Sequence, residues 1–149
     1  LVRGDVPENE YTLPIGDADV KMEGTDLSVI SYGLMLHLCI EAAQDLIDEG
    51  ISVEVLDLRT LRPLDSEAIL STAQKTGKVL IVHEDTKALG IGGEVSAIIS
   101  EDAFEYLDGP IMRIAGPEIP AMPFSPDLEA MFLPDTKRIG DAMRKLIQY

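Results

Sequence analysis

The sequence has few basic residues and only one cysteine. Of its 149 residues, 12 are Lys or Arg and 27 are Asp or Glu, which gives a formal net charge of −15. A nucleic-acid-binding surface needs a concentration of Lys and Arg, so the composition argues against that class of partner. The acid excess fits either a basic protein partner or simply a well-solvated surface. Cys39 alone permits no internal disulfide, and we therefore expect a reducing compartment.

Long apolar runs and a targeting leader are also missing. No apolar run approaches the ~20 residues that a membrane span needs, and no basic-then-apolar leader opens the sequence. We therefore expect a soluble domain that does not bind a membrane. With 149 residues, of which 46% are hydrophobic, the chain has the size of one domain and can bury a single sizeable core.

Strand and helix patterns alternate along the chain. Strands are predicted over residues 27–32, 51–58, 78–83 and 111–115, with a possible short edge strand over 18–23. Helices are predicted over residues 34–48, 65–75, 94–106 and from 134 or 135 to 147. The linkers have two to six residues. This alternation predicts a three-layer α/β/α domain with a mostly parallel, five-stranded sheet.

Other segments carry less regular patterns. Residues 1–17 contain two prolines and no sustained apolar period, so we expect an extended lead-in before a domain over 18–149. A chain that begins this way, without a methionine, suggests a piece of something larger. Four prolines should hold residues 116–126 extended or turned. The first helix has apolar residues four apart, namely Leu34, Leu38, Ala42 and Leu46.

A charged stretch, residues 56–65, follows the second core strand. The carboxyl end of a strand is where open α/β sheets usually bind ligands. Arg59 and Arg62 could grip a carboxylate or phosphate ligand. Alternatively, Arg59 could pair with Asp57 or Asp65 and fix the strand-to-helix turn. The residues favour this structural role.

Residues 90–93, Gly-Ile-Gly-Gly, precede the third predicted helix. Amides at a helix N-terminus attract anions. However, the turn lacks the ending of a P-loop and the spacing of a dinucleotide fingerprint, and Glu94 would repel a phosphate. Tight packing of the helix on the sheet is therefore the favoured interpretation.

Histidine, cysteine and methionine are three other residue types that can take part in catalysis or binding. His83 lies at the carboxyl end of a strand, and a general acid or base role stays open, although a capping or hydrogen-bonding role is favoured. The only other histidine, His37, lies inside a helix, so we do not expect a zinc site. Cys39 lacks a visible base and is interpreted as a buried thiol. The six methionines are interpreted as core filler. No combination of nucleophile and base indicates an active site.

The chain nevertheless resembles a known family. Residues 53–65 read V-E-V-L-D-L-R-T-L-R-P-L-D, which looks like the C-terminal domain of transketolase-like enzymes. Other segments resemble, in order, the β subunits of thiamine diphosphate-dependent 2-oxo acid dehydrogenases: residues 13–16, 75–85, 92–101 and 107–124. The run A-G-P-E-I-P-A-M-P-F is most similar to branched-chain (2-oxoisovalerate) members, with pyruvate and acetoin members as close alternatives.

This resemblance implies a division of labour. Thiamine diphosphate and magnesium are expected to lie between the α subunit and a β-subunit domain that would precede Leu1, so this domain is expected to bind no cofactor and to be inactive alone. The complete enzyme would decarboxylate a 2-oxo acid oxidatively and acylate lipoyl groups. This domain would assemble the heterotetramer of two α and two β subunits. The compartment would be the cytoplasm, or the mitochondrial matrix in a eukaryote.

The resemblance also implies a partner-binding site. In such β subunits, an aspartate in an L-D-x-P turn and the C-terminal carboxylate contact the basic subunit-binding domain of the lipoyl acyltransferase. The matching positions here are Asp108 and Tyr149. Without that context, Asp108 reads as a turn residue before Gly109 and Pro110.

Other interpretations stay open at this point. One is a freestanding, anion-binding regulatory α/β domain that uses Arg59, Arg62 or the 90–93 turn, and another is a different transketolase-like enzyme. If its natural neighbours are removed, exposed interfaces would favour a homodimer of the isolated chain.

Overall fold

The centre of the molecule is a five-stranded sheet. The computed structural model describes residues 3–149. In chain order the strands are β1 (Asp19–Met22), β2 (Leu27–Ser31), β3 (Val53–Asp57), β4 (Val79–Thr86) and β5 (Met112–Gly116). They lie side by side in the order β1-β3-β2-β4-β5. Only β1 runs antiparallel, against β3, while the other neighbouring pairs are parallel. The predicted mostly parallel sheet, with its short edge strand, is confirmed.

Residues 3–149 form five α-helices, of which all but the fourth cover the two faces of the sheet. They are α1 (Gly33–Ile47), α2 (Ser66–Thr76), α3 (Ile91–Asp102), α4 (Pro126–Phe132) and α5 (Thr136–Ile147), and a short 3-10 helix follows α3 (Phe104–Tyr106). Buried side chains form two clusters: one contains residues of α1 and α5, and the other contains residues of α2 and α3. Apolar residues of the strands belong to both clusters, so the sheet is covered on both faces. The predicted three-layer α/β/α architecture is therefore confirmed.

The buried strands explain why β2, β3 and β4 read as apolar runs. All five residues of β2 are buried, as are the first four of β3 and the first five of β4. A parallel strand with helices on both faces has no solvent-facing side, so alternation of polar and apolar residues is lost. No helix among the described residues is long and apolar enough to cross a membrane.

Side-chain caps set the start of two helices. Asp65 Oδ1 accepts a hydrogen bond from the Ala68 amide at 3.0 Å at the start of α2, and Asp135 Oδ1 accepts one from the Arg138 amide at 2.6 Å at the start of α5. Each carboxylate satisfies an amide that the helix itself cannot. Asp65 is thus the N-cap of α2 and Asp135 that of α5.

Two helix predictions were wrong in their bounds or incomplete. The helix predicted over 94–106 instead runs from Ile91 to Asp102, because it begins inside the glycine turn and gives way to the 3-10 helix. Helix α4 was not predicted, since Pro126 was taken to continue an extended segment. Pro126 lies in the first turn of α4, where its fixed φ suits a helix and its missing amide hydrogen costs nothing.

The buried face of α1 also differs from the prediction. Leu34 is 44% exposed, and the buried residues are Met35, Leu36, Cys39, Ala42, Ala43 and Leu46. The stripe with a spacing of four therefore describes the second half of the helix but not its first turn. There the core contacts come from Met35 and Leu36, while Leu34 lines an open groove.

Candidate partner-binding site

The parallel strands define two edges of the sheet. We call the edge where β2 to β5 begin the amino edge, and the edge where they end the carboxyl edge. Residues 107–111 and the loop after α2 lie at the amino edge, because they lead into β5 and β4. The turns after β2, β3, β4 and β5 lie at the carboxyl edge.

The structure brings Asp108 and Tyr149 together at the amino edge. The Asp108 amide donates a hydrogen bond to the Gly77 carbonyl at 2.8 Å, which ties the turn before β5 to the turn before β4. The next residue, Gly109, packs on Tyr149: a Cβ added to Gly109 would lie 3.1 Å from Tyr149 Cβ. Asp108 is exposed and Tyr149 is 61% exposed. The two positions therefore share one solvent-accessible surface.

Gly77 makes the position of Asp108 possible. Its φ of 67° is left-handed, which ends α2 and suits glycine. A Cβ on Gly77 would lie 2.5 Å from Asp108 Oδ2 and 2.9 Å from the Tyr106 carbonyl oxygen. A larger residue would displace the aspartate. Gly77 thus ends α2 and also leaves the space that the Asp108 carboxylate, the candidate binding group, occupies.

The Asp108 carboxylate is available to a basic partner. None of the ion pairs found among residues 3–149 includes it. A groove of about 670 Å³ beside Asp108 is lined in part by Ser96, Phe104 and Arg113. Acidic residues of the same stretch, Glu101, Asp102 and Glu105, are exposed. The arrangement can accept a Lys or Arg side chain and cover the apolar part of its stem.

Phe104 was not predicted as a site residue, although it is 73% exposed and lines this groove. A possible signal was the acidic stretch 101–108, Glu-Asp-Ala-Phe-Glu-Tyr-Leu-Asp, in which an aromatic ring has carboxylates on both sides. Within the predicted helix 94–106, however, Phe104 would be interpreted as a core residue. Its exposure became visible only because α3 ends at Asp102.

Arg59, at the carboxyl edge, has a structural role, but with a different partner from those predicted. Its Nη2 donates to Asp19 Oδ2 at 2.7 Å, which ties the turn after β3 to the edge strand β1. Only its backbone amide contacts Asp57, whose Oδ1 accepts at 3.0 Å. A hydrogen bond from Lys21 lowers the pKa of Asp19, and the nearby Arg59 guanidinium lowers it further.

Asp65 does not contact the Arg59 side chain. Its Oδ2 accepts from the Ala18 amide at 2.9 Å, while Oδ1 caps α2. Arg62 lines a groove with Leu61, Leu64 and Glu94 at the same edge. Because the Arg59 guanidinium is already paired, the two arginines do not form a free fork for an anion.

His83 and the glycine turn form one packed unit. His83 is fully buried, and a Cβ on Gly92 would lie 2.6 Å from its Nε2, while one on Gly90 would lie 2.7 Å from its Cε1. The favoured packing role of the 90–93 turn is confirmed. The predicted hydrogen-bonding role of His83 was wrong, since neither ring nitrogen has a partner among the described residues. Burial lowers the pKa of His83.

The remaining candidates are mainly structural. Cys39 is buried, as predicted, and burial raises the pKa of its thiol to about 12. Within residues 3–149, no group of three or more His, Cys, Asp or Glu residues could hold a metal ion. Met35 and Met143 lie in the core, whereas Met122 and Met131 are 44% and 79% exposed. The interpretation of all six methionines as core filler was therefore wrong for these two.

The comparisons with known proteins agree with this architecture. Residues 16–139 match the family "Transketolase, C-terminal domain". The chain is 53% identical over its whole length to the 2-oxoisovalerate dehydrogenase subunit beta of Bacillus subtilis, covering 46% of that protein. It is 44% identical over 99% of its length to the pyruvate dehydrogenase E1 component subunit beta of the same organism, covering 45% of that protein.

More distant proteins share the fold. The chain is 39% identical, over 99% of its length, to an acetoin:2,6-dichlorophenolindophenol oxidoreductase subunit beta of Cupriavidus necator, covering 43% of that protein. A solved structure described as a split gene transketolase, inactive beta4 tetramer, superposes with a TM-score of 0.81 at 24% identity, covering 97% of this chain and 46% of that one. The chain thus spans about half the length of the relatives that it matches. It belongs to the transketolase C-terminal domain family.

Proposed function

We propose that this chain is the C-terminal assembly domain of the β subunit of a 2-oxo acid dehydrogenase, the 2-oxoisovalerate (branched-chain) enzyme in particular. The 53% identity to the Bacillus 2-oxoisovalerate subunit, against 44% and 39% for the pyruvate and acetoin subunits, supports that substrate assignment. The pyruvate and acetoin enzymes are the alternatives. In either case the domain would serve assembly of two α and two β subunits and docking of the lipoyl acyltransferase.

The chemistry of the complete enzyme would take place outside this domain. Oxidative decarboxylation of the 2-oxo acid and acylation of lipoyl groups would use thiamine diphosphate and magnesium. We expect this domain not to bind that cofactor. The glycine turn is occupied by the His83 ring, Glu94 stands in the first turn of α3, and the described residues hold no metal cluster. We expect calorimetry to detect no saturable binding of thiamine diphosphate with magnesium to this chain, and tight binding would contradict the proposal.

The observation that carries the docking role is the shared surface of Asp108 and Tyr149. An unpaired carboxylate on the rim of a groove, next to the exposed acids of residues 101–105, is a suitable acceptor for an Arg or Lys of a basic domain. The net charge of −15 would steer such a domain toward this surface. A freestanding anion-binding function has less support, because Arg59 is paired with Asp19 and His83 occupies the glycine turn.

Replacing Asp108 in the complete heterotetramer tests this role. Asp108→Asn keeps the shape of the side chain but removes its charge, so the fold around Gly77 is retained. We expect the acyltransferase subunit-binding domain to bind about 1–3 kcal/mol more weakly, the range for losing a charge-assisted hydrogen bond. Isothermal titration calorimetry measures the affinity, and Asp102→Asn, an exposed acid at the end of α3, is the matched control. Equal losses for the two variants, or no loss for either, would rule out a specific role for Asp108.

Location follows from the same proposal. The relatives include proteins of bacteria and a mitochondrial pyruvate dehydrogenase subunit of Dictyostelium discoideum. The proposed compartment is accordingly the bacterial cytoplasm, or the mitochondrial matrix in a eukaryote.

A further inference from the structure

The turn between α2 and β4 contacts both halves of the proposed docking surface. It consists of Thr76, Gly77 and Lys78, which are the last residue of α2, its C-cap and the residue before β4. The Gly77 carbonyl accepts a hydrogen bond from the Asp108 amide at 2.8 Å. The Lys78 ammonium Nζ donates to the carbonyl of Ile147, at the end of α5, at 3.1 Å. Three consecutive residues thus join two segments that lie far apart in the sequence.

Lys78 holds the C-terminal half of the surface. Ile147 is the last residue of α5, so its carbonyl has no partner within the helix. The Lys78 ammonium supplies a donor and places a cation at the negative end of the helix dipole. None of the ion pairs found among residues 3–149 includes Lys78. Because Tyr149 follows Ile147 by two residues, the carbonyl that Lys78 holds also sets where the chain continues to Tyr149.

Two buried hydroxyls anchor the other end of the turn. Thr76 and Ser28, at the start of β2, are 7% and 0% exposed, and their Oγ atoms lie 2.7 Å apart. Ser28 Oγ also lies 3.1 Å from the Thr72 carbonyl oxygen, which can only accept. Each hydroxyl has one proton, so these contacts assign Ser28 as the donor to the carbonyl and Thr76 as the donor to Ser28. The last turn of α2 is therefore fastened to a central strand.

Gly77 is fixed between two immobile neighbours. Thr76, before it, is held by the Ser28 hydroxyl, and Val79, two residues after it, is a fully buried residue of β4. The direction of the Gly77 carbonyl, and with it the place of the Asp108 amide, follows from these two anchors. Groups that are held in position before a partner arrives need not be ordered at the moment of binding, which favours affinity.

We propose that Thr76 and Lys78 are positioning residues of the docking surface. Thr76 acts through Gly77 on Asp108, and Lys78 acts through the end of α5 on Tyr149. The inference rests on the proposed function, because it takes docking at Asp108 and Tyr149 from it. It adds that one turn sets the position of both acceptor groups relative to each other.

The role of Lys78 predicts an effect of unusual sign. Lys78→Met in the complete heterotetramer keeps the apolar stem but removes the donor and one positive charge. A more acidic surface attracts a basic domain at least as well, so long-range electrostatics alone predicts equal or tighter binding. We expect instead that the acyltransferase subunit-binding domain binds about three- to tenfold more weakly, the effect of one lost hydrogen bond. The matched control is Lys145→Met, at an exposed lysine in the last turn of α5, which should not weaken binding.

The role of Thr76 is tested by its dependence on Asp108. Thr76→Val keeps the shape of the side chain and removes the hydroxyl, while Thr76→Ser keeps the hydroxyl and is the control. We expect Thr76→Val to weaken docking about three- to tenfold and Thr76→Ser to leave it unchanged. In a chain that already carries Asp108→Asn, Thr76→Val should weaken it by less than about twofold, because coupled residues are not additive. A general loss of stability would act equally in both backgrounds. If Thr76→Val does not fold, the Lys78 variants decide the inference alone.

Hydrogen exchange on the unliganded heterotetramer measures the positions without the partner. Lys78→Met should speed exchange in residues 147–149 and not in 107–109, and Thr76→Val should do the reverse. If Asp108→Asn weakens docking but neither Lys78→Met nor Thr76→Val does, the inference is overturned and the proposed function stands. If Asp108→Asn has no effect, the docking role is overturned and this inference with it.

Discussion

At the scale of single residues, His83 is the clearest case of a chemically capable side chain used for packing. Its imidazole is fully buried beneath Gly90 and Gly92, and neither nitrogen has a hydrogen-bond partner among the described residues. A general acid or base must reach the proton that it transfers. Sealed in this way, His83 is a poor candidate for that role. The cost of burying its polar atoms is smallest when the ring is neutral.

This environment predicts a pH dependence. Burial lowers the pKa of His83 from its ordinary value of 6.5. The free energy of unfolding should therefore be highest above about pH 6.5 and should fall as the pH drops below it. In that range the unfolded chain takes up a proton that His83 in the folded chain does not bind. NMR titration of the imidazole measures the pKa directly, with a His37→Gln variant to assign the two rings. A pKa of His83 at or above 6.5 in the folded chain would contradict this account.

Other residues show what sequence could not specify. The Arg59 turn was predicted to be structural, but its guanidinium pairs with Asp19, a residue 40 positions earlier on the edge strand. Glu54, inside β3, is buried and accepts from Thr72 Oγ1 at 2.9 Å while pairing with Lys75 of α2. Nothing in a strand pattern indicates that a charged residue within it is covered. Such pairs depend on which elements become neighbours in three dimensions.

At the scale of elements, the first turn of α3 is packed tightly against His83 of β4. A Cβ on Gly92 would lie 2.6 Å from His83 Nε2 and 2.9 Å from its Cδ2, which real contacts do not allow. One residue further along, a Cβ on Gly93 would meet nothing closer than Arg113 Nη1 at 3.6 Å. These neighbouring glycines differ in surroundings but share the same helix turn.

The pair gives a matched test of helix packing on the sheet. Gly92→Ala should lower the free energy of unfolding by about 1–3 kcal/mol through overpacking against a buried ring, partly offset by helix propensity. Gly93→Ala should be neutral or stabilise by up to about 1 kcal/mol, because alanine suits a helix better than glycine does. Urea denaturation of both variants measures the difference. If Gly92→Ala is as stable as Gly93→Ala, α3 does not pack on His83 as described.

Most elements were predictable because their signals are local. The core strands are β-branched and apolar, and capping or terminating residues such as Asp65 and Gly77 mark helix ends. Helix α4 was not predicted, because Pro126 follows three other prolines in the sequence. A proline in the first turn of a helix cannot be told from one in an extended segment by its neighbours alone. The exposure of Leu34 was not predicted, because the spacing of apolar residues does not show which turn of a helix extends beyond the sheet.

At the scale of the whole molecule, two surfaces of different chemistry lie at opposite edges of the sheet. The amino edge presents Asp108, beside a groove, together with Tyr149, and the carboxyl edge presents a groove with apolar residues and three carboxylates in its lining. Both are suited to basic partners, which fits the net charge of −15.

The sequence predicted one of these two surfaces but not the other. Asp108 and Tyr149 were singled out by resemblance to known β subunits, and the structure adds the Gly109 contact that joins them. The groove at the carboxyl edge was not predicted, because Met122, which lines it, was assigned to the core. Whether an apolar residue is buried depends on how segments distant in sequence close over it, as the start of α1 and residues 119–133 do here.

Hydrogen exchange on the assembled heterotetramer, with and without the acyltransferase subunit-binding domain, tests the central claim most directly. The account predicts that adding this domain slows exchange in residues 104–111 and 146–149, around Asp108 and Tyr149. It predicts no change in residues 119–131, which lie at the opposite edge of the sheet. Protection that appears in 119–131, or that is absent from 104–111, would contradict docking at the amino edge.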